Sequence, residues 1–166
     1  MISIETARLR LRAFVPEDRD HLLALNADPA VREFLDMPEP TTPEHEDDFL
    51  DHVMTKFSGD RGFWAAEENG RFIGWFHLRP ARDTGECELG YRLRKDAWGR
   101  GLATEGSRAL VDLAGERVIA RTMIVNLRSR SVMEKLGMKV VRTFPYKGDG
   151  PDDEIEYALT PSQELL

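Results

Sequence analysis

Cysteine is nearly absent from the 166 residues. Cys87 stands alone, so no internal disulfide can form and no thiolate zinc site can be built. The four histidines, His21, His45, His52 and His77, show no metal-ligand spacing, and no metal is expected. No apolar run approaches the roughly 20 residues that span a bilayer. The start, Met1-Ile2-Ser3-Ile4-Glu5, has no basic stretch ahead of an apolar block, so no signal peptide is expected. These absences point to a cytoplasmic protein with no membrane partner. Basic charge is also in deficit. Lys and Arg number 23 against 30 Asp and Glu, a net charge of −7. That speaks against nucleic acid as a partner and is compatible with a cationic one, although acidity serves solubility as well. Two nucleotide signatures are missing. No Gly-Lys-Ser/Thr phosphate loop occurs, and the GxGxxG fingerprint fails because Gly106 falls five residues after Gly101.

What is present suits a single domain over residues 1–166. The length supports a proper core, and the 41% hydrophobic share is ordinary for a soluble protein. No internal repeat occurs. The stretch that organises the chain is Trp98-Gly99-Arg100-Gly101-Leu102-Ala103-Thr104-Glu105-Gly106. A strand pattern, Cys87 to Leu93, precedes it. A helical pattern follows, with Leu102, Gly106, Ala109, Leu110 and Leu113 on one face. Gly99 and Gly101 accept positive φ and leave no Cβ in the way of a ligand. The amides of such a turn converge on one point, and the helix dipole adds positive charge there. A pyrophosphate suits that site. A tight strand-to-helix connection, with glycines that only permit close packing, explains the same residues without a ligand.

Along the chain, Thr6 to Arg12 alternates leucine with arginine, a strand with one buried face and its arginines on a solvated edge. Pro16-Glu17-Asp18 opens a helix that Asp28-Pro29 ends, and a short helix carries Val31, Phe34 and Leu35. Thr42-Pro43 caps a helix running to Phe57. Strands are expected at Phe63–Glu67, Phe72–Leu78 and Glu86–Leu93, the first two joined by the hairpin signal Asn69-Gly70. The helix after the glycine turn stops near Gly115. A buried strand follows over Val118–Val125, then a helix ending at Gly137. Strands at Met138–Phe144 and Ile155–Leu159 close the chain. Ser129 is a natural helix N-cap, and Ser131 with Glu134 has capping-box spacing. An exposed strand edge is the expected place for a homodimer contact.

Two blocks carry a family resemblance. Trp98-Gly99-Arg100-Gly101-Leu102-Ala103 resembles motif A of the GCN5-related N-acetyltransferases (GNAT), Arg/Gln-Gly-x-Gly-x-Gly/Ala, with Trp98 departing at the first position. That departure is similar to the Rim-type branch, the ribosomal-protein N-terminal acetyltransferases. Asn126-Leu127-Arg128-Ser129-Arg130-Ser131-Val132-Met133-Glu134-Lys135-Leu136-Gly137-Met138 resembles motif B in its Rim form. Thr6-Ala7-Arg8-Leu9-Arg10-Leu11-Arg12 is similar to that branch's opening strand. The resemblance implies an α/β domain with a mixed, mainly antiparallel sheet of about six to seven strands flanked by helices.

It also implies acetyl coenzyme A (acetyl-CoA) as cosubstrate and an amine as acceptor, either a protein N-terminus or a small molecule. The pyrophosphate is expected on the amides of Gly99, Arg100, Gly101, Leu102, Ala103 and Thr104. The Leu93 amide is expected to polarise the thioester carbonyl, and Asn126 to hold pantetheine or acceptor. Direct attack needs a base, and Glu88 is the first candidate, with Glu86 second. The acid tyrosine of many family members is replaced by Met133, which leaves Ser129 as the Rim-type substitute. The region from Arg32 to Phe57 is expected to wall the acceptor pocket. His77, Trp64 and Trp75 are ordinary strand residues or pocket wall, and Cys87 has no partner that makes it a nucleophile. A non-catalytic acyl-CoA binding or sensing module is the alternative, and a partner-binding domain without coenzyme A is a third reading.

Overall fold

The computed structural model of the chain describes residues 1–161, so the expected domain boundary at residue 166 lies outside the described residues. Its centre is an eight-stranded sheet. The strands are β1 (Ile4–Glu5), β2 (Leu9–Arg12), β3 (Gly62–Glu68), β4 (Arg71–Pro80), β5 (Cys87–Leu93), β6 (Val118–Met123), β7 (Lys139–Phe144) and β8 (Glu154–Leu159). Their spatial order is β1-β2-β3-β4-β5-β6-β8-β7. Among the described residues, only the neighbours β5 and β6 pair in parallel. Among the described residues the α-helices are α1 (Arg19–Ala27), α2 (Pro29–Arg32), α3 (Pro43–Lys56), α4 (Leu102–Ala114) and α5 (Leu127–Lys135).

The sheet separates two cores. Partners across neighbouring strands share a face. Trp75, His77 and Arg79 on β4 stand beside Arg92, Gly90 and Glu88 on β5. That face packs under α1 and α3, where Leu22, Leu25, Leu50 and Val53 join Trp75 in one cluster. Phe76 and Leu78, beside Tyr91 and Leu89, point the other way. They meet α4 and α5 through Leu102, Leu110, Met133 and Leu136. The fit of α4 is close: a Cβ on Gly106 would lie 2.4 Å from the Phe76 ring. Only glycine lets this helix reach the sheet.

Local chemistry sets the connections where the sequence placed them. Asn69 at φ 51° and Gly70 at φ 76° make the hairpin turn. The Thr42 side chain accepts from His45 N–H and caps α3. Gly115, at φ 60°, ends α4.

Four expectations change. The sheet has eight strands rather than six to seven. The added β1 has two residues, too few to show alternation. It also takes the edge beyond β2, where Arg8 and Arg10 stay exposed as expected and Arg12 does not. The Arg12 guanidinium is held by Asp18 and Glu67, both at 2.7 Å. Helix α2 stops at Arg32, before Phe34 and Leu35. Finally, Asn126 rather than Ser129 caps α5, its side chain accepting from Ser129 N–H at 3.2 Å.

Candidate functional site

The site begins where the sheet comes apart. β5 and β6 pair only at Cys87–Val118 and Glu88–Ile119. Beyond those pairs both strands continue, to Leu93 and Met123, without pairing. Arg94 N–H bonds Ile73 O on β4, and Leu93 sits opposite Gly74. Backbone groups alternate sides along a strand, so Leu93 and Tyr91 turn their amides toward the gap. The Leu93 carbonyl there accepts from the Trp98 indole at 2.9 Å. Around this gap lies a cavity of about 1410 Å³. Single-ligand pockets are roughly 300–1,000 Å³, so this one has room for two substrates together.

One end of the cavity is made of backbone. Gly101 is the N-cap of α4 in the left-handed region, φ 79°. The first helical bond runs from Glu105 N–H to Gly101 O at 3.0 Å. The amides of Leu102, Ala103 and Thr104 therefore have no acceptor within the helix. These three residues line the cavity with Gly99 and Gly101. They form a cradle for an anion at a helix N-terminus. Arg100 lies apart from the cavity lining. Its guanidinium forms a two-point pair with Glu68, at 2.8 and 2.6 Å. The turn is braced from behind by Glu105, which accepts from Thr6 Oγ1, Arg8 N–H and Arg8 Nε at 2.6, 2.7 and 2.7 Å. Arg8 also donates to the Arg100 carbonyl at 2.8 Å. Arg8 is thus a strut for the glycine turn. Sequence alone left Arg8 on a solvated edge with no role, and the one signal for it was the likeness of Thr6-Ala7-Arg8-Leu9 to the Rim branch's opening strand.

The other end is made of side chains on the α1–α3 face. Glu88 lines the cavity and pairs with Arg79, Oε2 to Nη2 at 3.0 Å. Glu86 precedes β5 and turns to Arg117 at 3.5 Å, away from the cavity. His77 is buried against Phe63 and Trp75, with both ring nitrogens unpartnered. Burial, reinforced by Arg79 and Arg92, pushes its pKa down to about 3. It is a neutral wall. Cys87 is buried too, and its thiol is pushed up to about 11, which removes it as a nucleophile. Among the described residues no cluster of His, Cys, Asp and Glu suits a metal, and no helix is long and apolar enough to cross a membrane.

Residues 8–139 match the family model described as the acetyltransferase (GNAT) domain. The chain is also 31% identical, over 98% of its length and 78% of the relative's, to the FsC-acetyl coenzyme A-N(2)-transacetylase of Aspergillus fumigatus. The chain belongs to the GNAT acetyltransferase family. It is an N-acetyltransferase. Solved structures share the fold. A GNAT-family acetyltransferase from Bacillus anthracis superposes with a TM-score of 0.82 at 22% identity, covering 96% of this chain and 98% of that one. RimL, a ribosomal L7/L12 α-N-protein acetyltransferase in complex with coenzyme A, gives 0.81 at 15% identity, with the same coverage of each chain.

In this GNAT domain the motif B residues gather at the gap. Asn126 and Ser129 line the cavity. Since Asn126 performs the capping, the Ser129 hydroxyl is released from that duty. Its neighbour is the Tyr91 hydroxyl at 3.5 Å. Burial raises the Tyr91 pKa, with Ser129 and Arg128 acting against it. Met133 is buried and packs in the core. The Ser131–Glu134 capping box is not formed, and Glu134 instead accepts from the Tyr157 hydroxyl at 3.1 Å. Over the mouth, Arg128 stacks on Trp98 at 4.4 Å and reaches Glu33 at 3.5 Å.

Cavity residues to which the sequence reading gave no role include Asn26, Arg92 and Glu154, and it covered Glu46 only through the Arg32–Phe57 stretch as a whole. Asn26 and Glu46 are buried polar residues on different helices. Glu46 sits in the acidic run Glu44-His45-Glu46-Asp47-Asp48, where nothing marks one carboxylate as internal. Glu154 lies at the start of β8, where burial raises its pKa against the pull of Arg121.

Proposed function

We propose that the protein transfers an acetyl group from acetyl-CoA to a primary amine by direct attack in a ternary complex. The observation that carries this reading is the splayed β5–β6 gap, which opens one cavity to both faces of the sheet. Donor and acceptor can meet there from opposite sides. The free amides at the start of α4 suit the pyrophosphate. The pantetheine fits along β5, whose outward backbone groups have lost their strand partner. The Leu93 amide then meets the thioester carbonyl, and Asn126 holds pantetheine or acceptor beside it.

The chemistry follows from these positions. A neutral amine attacks the thioester carbon, and the carbonyl oxygen gains charge beside the Leu93 amide. Such a fixed donor contributes about 2.7–4 kcal/mol to a transition state of this type. Glu88 takes the amine proton, directly or through water. The C–S bond breaks while the Ser129 hydroxyl donates a hydrogen bond to the departing thiolate, and the proton that Glu88 took from the amine returns to that thiolate through water. The products are the N-acetyl amine and coenzyme A. The acceptor is a small-molecule amine or a protein N-terminus.

The test is thiol release from acetyl-CoA with a panel of primary amines and free-amino peptides, repeated on Glu88→Gln. We expect turnover by the parent, with lost turnover but intact donor binding in the variant. Unchanged turnover in Glu88→Gln would remove Glu88 from the mechanism. A folded parent that binds no acetyl-CoA would overturn the whole reading.

A further inference from the structure

The acceptor side of the cavity holds a cation without a contacting anion. Arg92 projects from β5 onto the α1–α3 face and lines the cavity with Asn26, Glu46, Phe49 and Trp75. Its guanidinium lies over the Trp75 ring at 5.1 Å. Of its five N–H groups, one bond is made within the described residues: Nη1 donates to Asn26 Oδ1 at 2.7 Å. Nε is buried with no partner. No carboxylate among the described residues pairs with it directly. The nearest acidic influence is Glu46, which acts at a distance and opposes the burial that lowers the Arg92 pKa to about 10. The group therefore remains a cation at neutral pH.

Arg92 is also held in place. Asn26 Nδ2 donates to Glu46 Oε1 at 2.6 Å, and Thr41 Oγ1 donates to the same oxygen. This fixes the amide so that its carbonyl, not its NH₂, meets Arg92. Glu46 itself is 2% exposed. It orients Asn26 through that hydrogen bond and leaves almost no surface of its own. Arg92 is half-buried, and a guanidinium whose Nε is out of water with no partner is costly unless a ligand completes it. A planar guanidinium matches an acid group at two points.

We infer that the acceptor is an amine bearing an acid group, and that Arg92 binds that group. The inference rests on the acetyl-transfer reading above and names its substrate class. Arg92 is flanked in sequence by Tyr91 and Leu93, whose amides face the gap. An amine at the gap and an acid at Arg92 are thus separated by little more than one side chain. A short amino acid fits this spacing, with Phe49, Phe63 and Trp75 as its apolar wall. A peptide N-terminus carries no acid group there unless a side chain supplies one.

The experiment measures kcat/KM with acetyl-CoA for leucine, phenylalanine, β-alanine and 4-aminobutyrate, each as free acid, carboxamide and matching aminophosphonate. We expect at least one acid to exceed its carboxamide by roughly tenfold or more, as charged hydrogen bonds do. The phosphonates tell whether carboxylate or phosphate is the preferred group. Arg92→Met should bring the acid-to-amide ratio to about one while acetyl-CoA binding is retained. If that variant loses acetyl-CoA binding by unfolding, Arg92→Lys replaces it, with a reduced ratio expected because the fork is lost. Equal rates for acids and amides in the parent overturn the inference, as does an unchanged ratio in the variant. If acetyl-CoA binds but nothing turns over, binding of the N-acetyl acids and amides to the coenzyme A-loaded protein decides by the same ratio. A protein that binds no acetyl-CoA fails the earlier reading instead, so the two failures are separable.

Discussion

The two ends of the cavity are built from different materials. The end proposed for the donor, at the glycine turn and the first turn of α4, uses backbone amides that a helix N-terminus leaves free. The acceptor end uses side chains from α1, α3, β4 and β5, several of them buried and polar. A backbone site depends on where the chain turns, so a few glycines specify it. A side-chain site depends on which distant segments meet. The donor end therefore suits a ligand common to many enzymes, while the acceptor end is free to differ.

Substitutions should separate the two ends. The largest effect belongs to Glu88→Gln. We expect kcat to fall about 100-fold or more, with acetyl-CoA affinity unchanged in a titration. Loss of both together would mean that the acceptor face is not independent of the donor cradle. Gly101→Val tests the opposite end. A β-branched residue at φ 79° is strained by about 1–3 kcal/mol, and we expect acetyl-CoA to bind about tenfold more weakly. Unaltered affinity would remove this turn from the pyrophosphate site.

Two smaller effects concern the acceptor face alone. His77 is neutral in the folded protein, with its pKa lowered to about 3. The unfolded chain takes up a proton below its ordinary value near 6.5. The contribution is thus complete above pH 6.5 and declines as pH falls toward 3. Between pH 6.5 and 5 the loss amounts to about 2 kcal/mol. Denaturant unfolding of the parent and of His77→Gln at the two pH values should show the difference, and parallel curves would contradict the burial of a neutral ring. Thr42→Ala removes the cap of α3 and should cost about 1 kcal/mol in the same assay. Donor binding should be untouched.

The same division explains what the sequence made legible. The order of elements, the Asn69-Gly70 turn, the Thr42 cap and the glycine turn follow from local preferences, and the fold agrees with them. β1 escaped because two residues show no period. Asn126 took the cap expected of Ser129 because both types cap well, and only the helix start decides between them. Arg12 was expected in solvent and is an ion-pair centre, because alternation tells which face a residue takes and not what covers that face. Arg92, Asn26 and Glu46 were invisible for a stronger reason. They lie in three separate segments, each polar in an ordinary way, and their meaning arises only when α1 and α3 fold over β5.

The most direct measurement is a calorimetric titration with acetyl-CoA, desulfo-coenzyme A and AMP. The splayed gap and the amide cradle predict binding of the first two on the order of micromolar, and much weaker binding of AMP, which lacks both pantetheine and pyrophosphate. Failure of well-folded protein to bind any form of coenzyme A would contradict the account at its centre, leaving the glycine turn as a packing device between strand and helix.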